Sequence, residues 1–167
     1  MKILVFSDSH GSDATIRRAL ELHVRTADLA LHAGDGAHSF MLLSHEYPSV
    51  GFLAVRGNCD SIRSMFGGSE PLSEEQHTSV CGHRLMLTHG HRFGVKSSTS
   101  ALISYARVKG ADIIVFGHTH EPCERYVPAS DGLGEVRLFN PGAAKDGLYG
   151  IIEIRENGIL MQNASIY

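Results

Sequence analysis

Five short apolar runs, each broken off by a compact polar block, constrain this chain more than any other feature. Ile3 to Phe6 runs into Asp8-Ser9-His10, and Asp28 to His32 into Gly34-Asp35-Gly36. Val50 to Val55 runs into Arg56-Gly57-Asn58-Cys59-Asp60, His83 to Thr88 into His89-Gly90-His91, and Asp112 to Phe116 into Gly117-His118-Thr119-His120. A short run apolar at every position predicts a strand covered on both faces. Polar loops at the carboxyl ends of such strands are where open α/β folds place their chemistry.

The segments between the runs fit that reading. Ser12 or Asp13 can cap a helix reaching about Arg25, with Ile16, Ala19 and Leu20 on one face. A second helix is expected from about Ser39 to Glu46, ending before Pro48. Gly67 to Pro71 reads as a turn, and Gln76 to Val80 and His83 to Thr88 as a hairpin about Cys81-Gly82. Thr99 to Lys109 is helical, with Leu102, Ile103 and Ala106 facing inward and Gly110 closing it. Beyond His120 the pattern is all strand: Glu124 to Pro128, Glu135 to Phe139, Leu148 to Arg155 and Gly158 to Ile166. Asp131-Gly132 is a turn signal, and Asn157-Gly158 is a type I′ hairpin signal. One layered α/β domain with two sheets, spanning 1–167, accommodates both halves.

Composition excludes several classes. A net charge of -3 and a pI near 6.4 offer no basic stripe for nucleic acid. No run of consecutive apolar residues within the strands is longer than that of Ile113 to Phe116, which is far too short to span a bilayer. Only four apolar residues follow Lys2 before Ser7, so no secretory signal is legible and the cytoplasm is the expected compartment. The three cysteines, 59, 81 and 123, match no zinc ribbon or CxxC motif and read as free thiols. Of the eleven histidines, His23, His38, His45, His77 and His83 lie outside the polar blocks and read as surface or helix residues.

The blocks themselves point to metal. Residues 8 and 10 of an extended segment point the same way, so Asp8 and His10 form one candidate ligand pair, and His118 and His120 another. Isolated DxH or HxH triplets also arise by chance in polar turns; here the ordered series of strand-end blocks carries the weight. Two ions roughly 3.5–4 Å apart need a bridging ligand with two oxygens, and Asp35 is the natural bridge. Asn58 adds a neutral carbonyl oxygen. Carboxylate, amide and imidazole ligation without thiolate suits Mn²⁺, Fe²⁺, Zn²⁺, Ni²⁺ or Co²⁺ and argues against a structural zinc.

The blocks DSH, GDG, RGNCD, THGH and GHTH, followed by NPG at 140–142, resemble the calcineurin-like metallophosphoesterases, and more narrowly their small bacterial and archaeal phosphodiesterase branch. The resemblance covers nearly the whole chain. It implies a two-sheet β-sandwich flanked by helices, with metals at the strand ends. It implies one ion held by Asp8, His10, Asp35 and His120 and a second by Asp35, Asn58, His89 and His118, with a water or hydroxide between them. Two divalent ions are therefore expected as cofactors, Mn²⁺ first, with Ni²⁺, Co²⁺, Fe²⁺ or Zn²⁺ as alternatives. Many relatives read GNH where this chain has Cys59, and that histidine is often the candidate proton donor to the leaving group. A thiol with a reference pKa near 8.5 is a poorer acid. Ala143 stands where branch members often carry Ser.

Among the remaining residues, Asp60 either orients a ligand histidine or caps its own loop. His91, two beyond His89, would return to the same side across an extended Gly90, there to meet a phosphoryl oxygen or act as the acid; the bland alternative is a solvent-facing loop histidine. Arg56 and Arg92 read as local ion-pair residues, with phosphate contact as the alternative. The helix start after Asp13 could assist an anion. Cys81 and Cys123 read as inert, Met41, Met65 and Met86 as packing, and Phe66 and Phe93 as either substrate wall or satellite core. The function these readings imply is hydrolysis of a small phosphodiester by a two-metal-activated hydroxide, with Asn58, Cys59, Asp60 and His91 nearest the chemistry. The alternative is a metal-binding or protein-interaction scaffold on the same fold. A membrane partner is not expected, nucleic acid is disfavoured, and a homo-oligomer is left open.

Overall fold

The computed structural model describes residues 1–60 and 72–167. In chain order the elements are β1 (Lys2–Phe6), α1 (Ala14–His23), β2 (Leu29–His32), α2 (Ala37–Leu42), β3 (Gly51–Ala54), β4 (Glu75–Val80), β5 (His83–Thr88), α3 (Ser100–Val108), β6 (Ile113–Val115), β7 (Cys123–Val127), β8 (Val136–Asn140), β9 (Leu148–Arg155) and β10 (Gly158–Ser165). The turn read over Gly67 to Pro71, together with Met65 and Phe66, lies outside the described residues.

Two five-stranded sheets form, ordered β10-β9-β1-β2-β3 and β4-β5-β6-β8-β7. Both have a parallel centre: β1, β2 and β3 in the first, β5, β6 and β8 in the second. Antiparallel strands complete both edges of the second sheet and the β9–β10 edge of the first, whose other edge is the parallel β3. The period of two in a strand explains the unbroken apolar runs. Ile3 and Val5 enter the core between the sheets, with Leu31, Leu85, Leu87, Ile113 and Val115. Leu4 and Phe6 enter a second core, against α1 and α2. A third core packs Met86, Ile114 and Phe116 against Leu102, Ile103 and Ala106 of α3. The layers are thus helix, sheet, sheet, helix, the expected sandwich. Each fully buried Leu, Ile or Phe contributes about 1.5–3 kcal/mol, so the strand ends that carry the polar blocks are anchored on both sides.

Helix boundaries follow the sequence with local shifts. α2 begins at Ala37, two residues before the expected start, and its end tightens into a 3₁₀ turn over Leu43–His45. Asp13 stands at the start of α1 but makes no side-chain cap; its carboxylate takes the Arg17 Nε at 2.7 Å instead. α3 closes in a Schellman motif, with Gly110 N donating to Arg107 O and Ala111 N to Ala106 O, both at 2.9 Å. The hairpin turns reverse the expected order. Cys81 and Gly82 have φ of 49° and 84° between paired Val80 and His83, as a type I′ turn requires. In the last hairpin Arg155 pairs with Gly158, so the loop is Glu156-Asn157, neither with positive φ. The type I′ turn expected at Asn157-Gly158 is therefore not formed.

Candidate metal centre

The polar blocks converge at the carboxyl ends of β1, β2, β3, β5 and β6. Their backbones are stitched together first. Asp8 N donates to Gly34 O at 3.0 Å and His10 N to Asp35 O at 2.8 Å. Gly57 must be glycine because a Cβ there would collide with the Asp35 carboxylate, and a Cβ on Gly117 would meet the Ser7 hydroxyl. Asp60 completes the stitching. Its carboxylate accepts the amides of Asp35 at 2.8 Å, Gly36 at 2.8 Å and Gly57 at 2.7 Å, clamping the GD loop to the GN loop. Of its two readings, the structure thus has the loop clamp: Asp60 positions Asp35 through the backbone rather than through a histidine.

The extended-pair geometry expected for Asp8/His10 and His118/His120 is not what forms. Asp8, His10, His118 and His120 have φ of 53°, 47°, 68° and 63°, and Asp35 has 59°. Each strand end turns sharply through left-handed residues, a conformation that Asp, Asn and His tolerate better than other side chains. The side chains nevertheless converge. Donor atoms of Asp8, His10 and His120 lie within 4.8 Å of one another, as do those of Asp8, Asp35 and His89, and those of His10, Asp35 and Cys59. His120 Nε2 is 3.2 Å from Asp8 Oδ1 and 3.5 Å from His10 Nε2. On the other side of Asp35, His89 Nε2 is 3.2 Å from Asn58 Oδ1, 3.2 Å from His118 Nδ1 and 3.4 Å from Asp35 Oδ2. All seven candidate ligands thus occupy one cluster, with Asp35 sharing groups with donors on both sides.

Their hydrogen bonds leave the right atoms turned inward. Asp8 Oδ2 accepts the Ser7 hydroxyl at 2.6 Å and the His118 amide at 3.0 Å, whereas the buried Oδ1 has no hydrogen-bond partner among the described residues. His89 Nδ1 donates to Ala33 O at 2.7 Å, which leaves the Nε2 lone pair for the centre when the ring is neutral. Burial opposes ionisation of Asp35, but His89 and the Cys59 amide, which donates to Oδ1 at 2.7 Å, hold its carboxyl well below the usual carboxylate range. Burial likewise opposes charge on His89, yet Asp35 raises its pKa. The orphaned Asp8 oxygen and the mixed O/N donor set fit hard to borderline divalent ions.

His91 lies beside this cluster for a different reason from the expected one. Gly90 is left-handed, with φ of 94°, and His91 opens a 3₁₀ turn over His91–Phe93. Its ring is 5.4 Å from that of His89 and 6.1 Å from that of His118. Its buried Nδ1 has no hydrogen-bond partner among the described residues, and burial lowers its pKa. Cys59 is exposed beside Asp35, whose hydrogen bond pushes the thiol pKa up. Phe93 packs on Tyr105 at 5.1 Å, so it is satellite core rather than substrate wall. Arg56 pairs with Glu74 at 2.7 Å and Arg92 with Glu74 at 2.6 Å, the local ion pairs expected of them.

Two residues support the cluster: His32, which the sequence reading passed over, and Asn140 of the NPG block, to which it gave no role. His32 is fully buried, accepts the Gly34 amide on Nδ1 at 3.1 Å and meets the Ser9 hydroxyl at 3.1 Å; burial depresses its pKa to about 3. Asn140 donates to Gly117 O and Thr119 Oγ1, each at 3.0 Å, and so braces the GHTH turn. The only signal for His32 is a histidine ending an otherwise apolar strand next to the GD loop.

The model of the calcineurin-like phosphoesterase superfamily domain matches residues 1–155. The chain is 30% identical over 146 residues to the probable metallophosphoesterase YsnB of Bacillus subtilis, covering 87% of this chain and 76% of that protein. It is 30% identical over 158 residues to the phosphodiesterase YfcE of Escherichia coli, covering 86% and 79%. Among solved structures, a conserved Streptococcus pneumoniae protein described as a predicted phosphoesterase superposes with a TM-score of 0.76 at 24% identity, over 98% of this chain and 88% of that one. Zinc-complexed Vps29 of Entamoeba histolytica shares the fold at a TM-score of 0.71 and 20% identity, over 99% of each chain. The chain belongs to the calcineurin-like phosphoesterase superfamily, a metal-dependent class of hydrolases.

Proposed function

We propose that this protein hydrolyses small phosphodiesters at a centre for two divalent ions, Mn²⁺ foremost. One observation carries the reading: two groups of donors, Asp8/His10/His120 and Asn58/His89/His118, meet at Asp35. Asp8, His10, Asp35 and His120 would hold one ion, and Asp35, Asn58, His89 and His118 the other. Such ions, when bound, supply Lewis-acid activation of water and neutralise charge on the phosphoryl oxygens. The chain's own residues do the rest. Asp60 and the Cys59 amide hold Asp35 in register, and Ala33 fixes the His89 ring. His91, at the edge of the cluster, offers a ring N–H to a phosphoryl oxygen as charge develops. Cys59 occupies the place of a leaving-group acid, and its raised pKa limits it to substrates whose leaving groups need little protonation. Diester preference is supported by the relative named a phosphodiesterase. Three unpaired thiols suit a reducing cytoplasm, and among the described residues no helix is long and apolar enough to cross a membrane.

The test is reconstitution with Mn²⁺, Ni²⁺, Co²⁺, Zn²⁺ or Mg²⁺ against matched nitrophenyl diesters and monoesters, with elemental analysis alongside. Two ions per chain and faster diester turnover are expected. A single ion would remove the two-metal assignment. Two ions with no ester hydrolysed would leave a metal-binding interaction module.

A further inference from the structure

Glu74 stands behind His91, and nothing in the proposed hydrolysis uses it. Its Oε1 takes Arg56 Nη2 at 2.7 Å and lies 3.9 Å from His91 Nε2, while its Oε2 takes Arg92 Nη1 at 2.6 Å. The backbone holds this arrangement: Arg56 N donates to Ser73 O at 2.9 Å and Thr88 Oγ1 to Glu74 O at 3.2 Å. One carboxylate thus engages a guanidinium from the Asn58 loop and another from the His89 turn. It lies one imidazole away from the candidate ligands, since the His91 ring is 5.4 Å from His89 and 6.1 Å from His118.

We infer that Glu74 is a specificity-determining residue that favours diesters over monoesters by engaging Arg56 and Arg92, two guanidinium groups beside the Asn58–His89 side of the centre. The inference rests on the hydrolase reading above. A phosphomonoester carries about -1.5 to -2 charges near neutrality, whereas a diester carries a single one. A planar guanidinium is the side chain best suited to a phosphate with two free oxygens to pair. With both guanidinium groups turned onto one carboxylate, the wall presents little unsatisfied positive charge to the second charge of a monoester. Lys96 also acts on His118, but like Arg92 it is exposed, where water and salt screen it, whereas Arg56 is half-buried and carries most of the effect. A cluster that served only to staple the two loops would affect both substrate classes alike.

The experiment uses the full chain loaded with Mn²⁺ and compares wild type, Glu74→Gln and Glu74→Gln/Arg92→Ala. For each, kcat/KM is measured on a nitrophenyl diester and the matching monoester. Metal content is determined, and the affinity for inorganic phosphate is measured by calorimetry. Glu74→Gln should raise the monoester-to-diester ratio and phosphate affinity by roughly tenfold, as one added charge contact would. The double variant should reverse part of both gains. An unchanged ratio with unchanged phosphate affinity overturns the inference. So does a parallel fall of both substrates with loss of metal, which would make Glu74 a staple. If the wild type cleaves no ester, the hydrolase reading fails, and phosphate affinity across the three proteins still decides whether Glu74 masks the arginines.

Discussion

On the Asn58 side of Asp35 the central histidine is sealed in. His89 is fully buried, its Nδ1 is fixed by Ala33 O, and its Nε2 meets Asn58, His118 and Asp35. On the Asp8 side the carboxylate is equally buried, but His10 is exposed, the His120 side chain retains 34% of its accessible surface, and their Nε2 atoms face each other at 3.5 Å. Each half thus has one buried ligand, His89 or Asp8, one half-buried, His118 or His120, and one exposed, Asn58 or His10. What differs is that the buried ligand on the Asn58 side is an imidazole fixed by a backbone carbonyl, whereas both imidazoles on the Asp8 side reach water. A preformed ligand loses less conformational freedom on binding. The half that contains the fixed His89 should bind its ion first and release it last, and the half with two water-exposed imidazoles should exchange.

The sharpest way to break this comparison is to remove what joins the halves. Asp35→Asn keeps the size of the side chain and removes its charge, so hydrolysis should fall on the order of 10²–10³-fold or more, as for loss of a principal electrostatic group. Retained activity in a steady-state assay would mean that the halves do not work through Asp35. The comparison itself is read from His89→Ala against His120→Gly, glycine being free of strain at the left-handed His120 position. His89→Ala should strip one ion through gel filtration, while His120→Gly should weaken retention at least tenfold less, measured by elemental analysis over a titration of Mn²⁺. The reverse order would show that fixing the His89 ring does not set affinity here.

Asp60→Asn tests the frame shared by both halves. Asn has one oxygen where three amides now share two, so at least one amide loses its acceptor. Losing charge-assisted bonds of this kind costs roughly 2–4 kcal/mol, and Tm should fall by roughly 5–15 °C, read by calorimetry on the metal-free protein. A shift under 2 °C would mean that the two loops hold together without Asp60. A gentler probe is pH. His32 is depressed to about 3, so its unfolded form takes up a proton below about pH 6.5 while the folded form does not. Its contribution is therefore fully present above pH 6.5 and is lost progressively toward pH 3. Between pH 7.5 and 5.5 it should remove about 1.4 kcal/mol. In urea unfolding of the metal-free protein, that slope should be reduced in His32→Gln; an identical slope would place the acid sensitivity elsewhere. The smallest effect is expected at Cys59. Cys59→His should speed poor leaving groups a fewfold more than nitrophenyl esters, because imidazole titrates nearer neutrality. Equal effects on both would make Cys59 packing only.

The layering was legible in the sequence because the central strands are covered on both faces, which leaves unbroken apolar runs such as Ile3 to Phe6. The candidate ligands were legible because each follows such a run. What the runs could not disclose was the backbone of the loops after them. Alternation along a strand says nothing of the left-handed turns at Asp8, His10, His118 and His120: Asp8 and His10 do come together, but the expected pair His118/His120 is split, His120 joining Asp8 and His10 and His118 joining His89. Partners distant in the chain were hidden too. His32 meets Ser9, and Asn140 braces Gly117, each across 23 positions. Glu74 acquires its meaning only once two separate loops fold onto it.

Left-handed backbone at five of the seven candidate ligands has a consequence for mutagenesis. An L-residue in that region is strained by about 1–2 kcal/mol, and Asp, Asn and His populate it far more readily than most other residues. An alanine scan of the cluster therefore removes a ligand and adds backbone strain in one step, and it will overstate what each side chain does for the metals. Asn and Gly are the fairer references. The same restriction bears on any attempt to re-engineer the centre: at Asp8, His10, Asp35, His118 and His120 the backbone narrows the usable amino acids to a few before ligand chemistry is consulted. Libraries built on Asp, Asn, His and Gly will sample the sequences that can still fold.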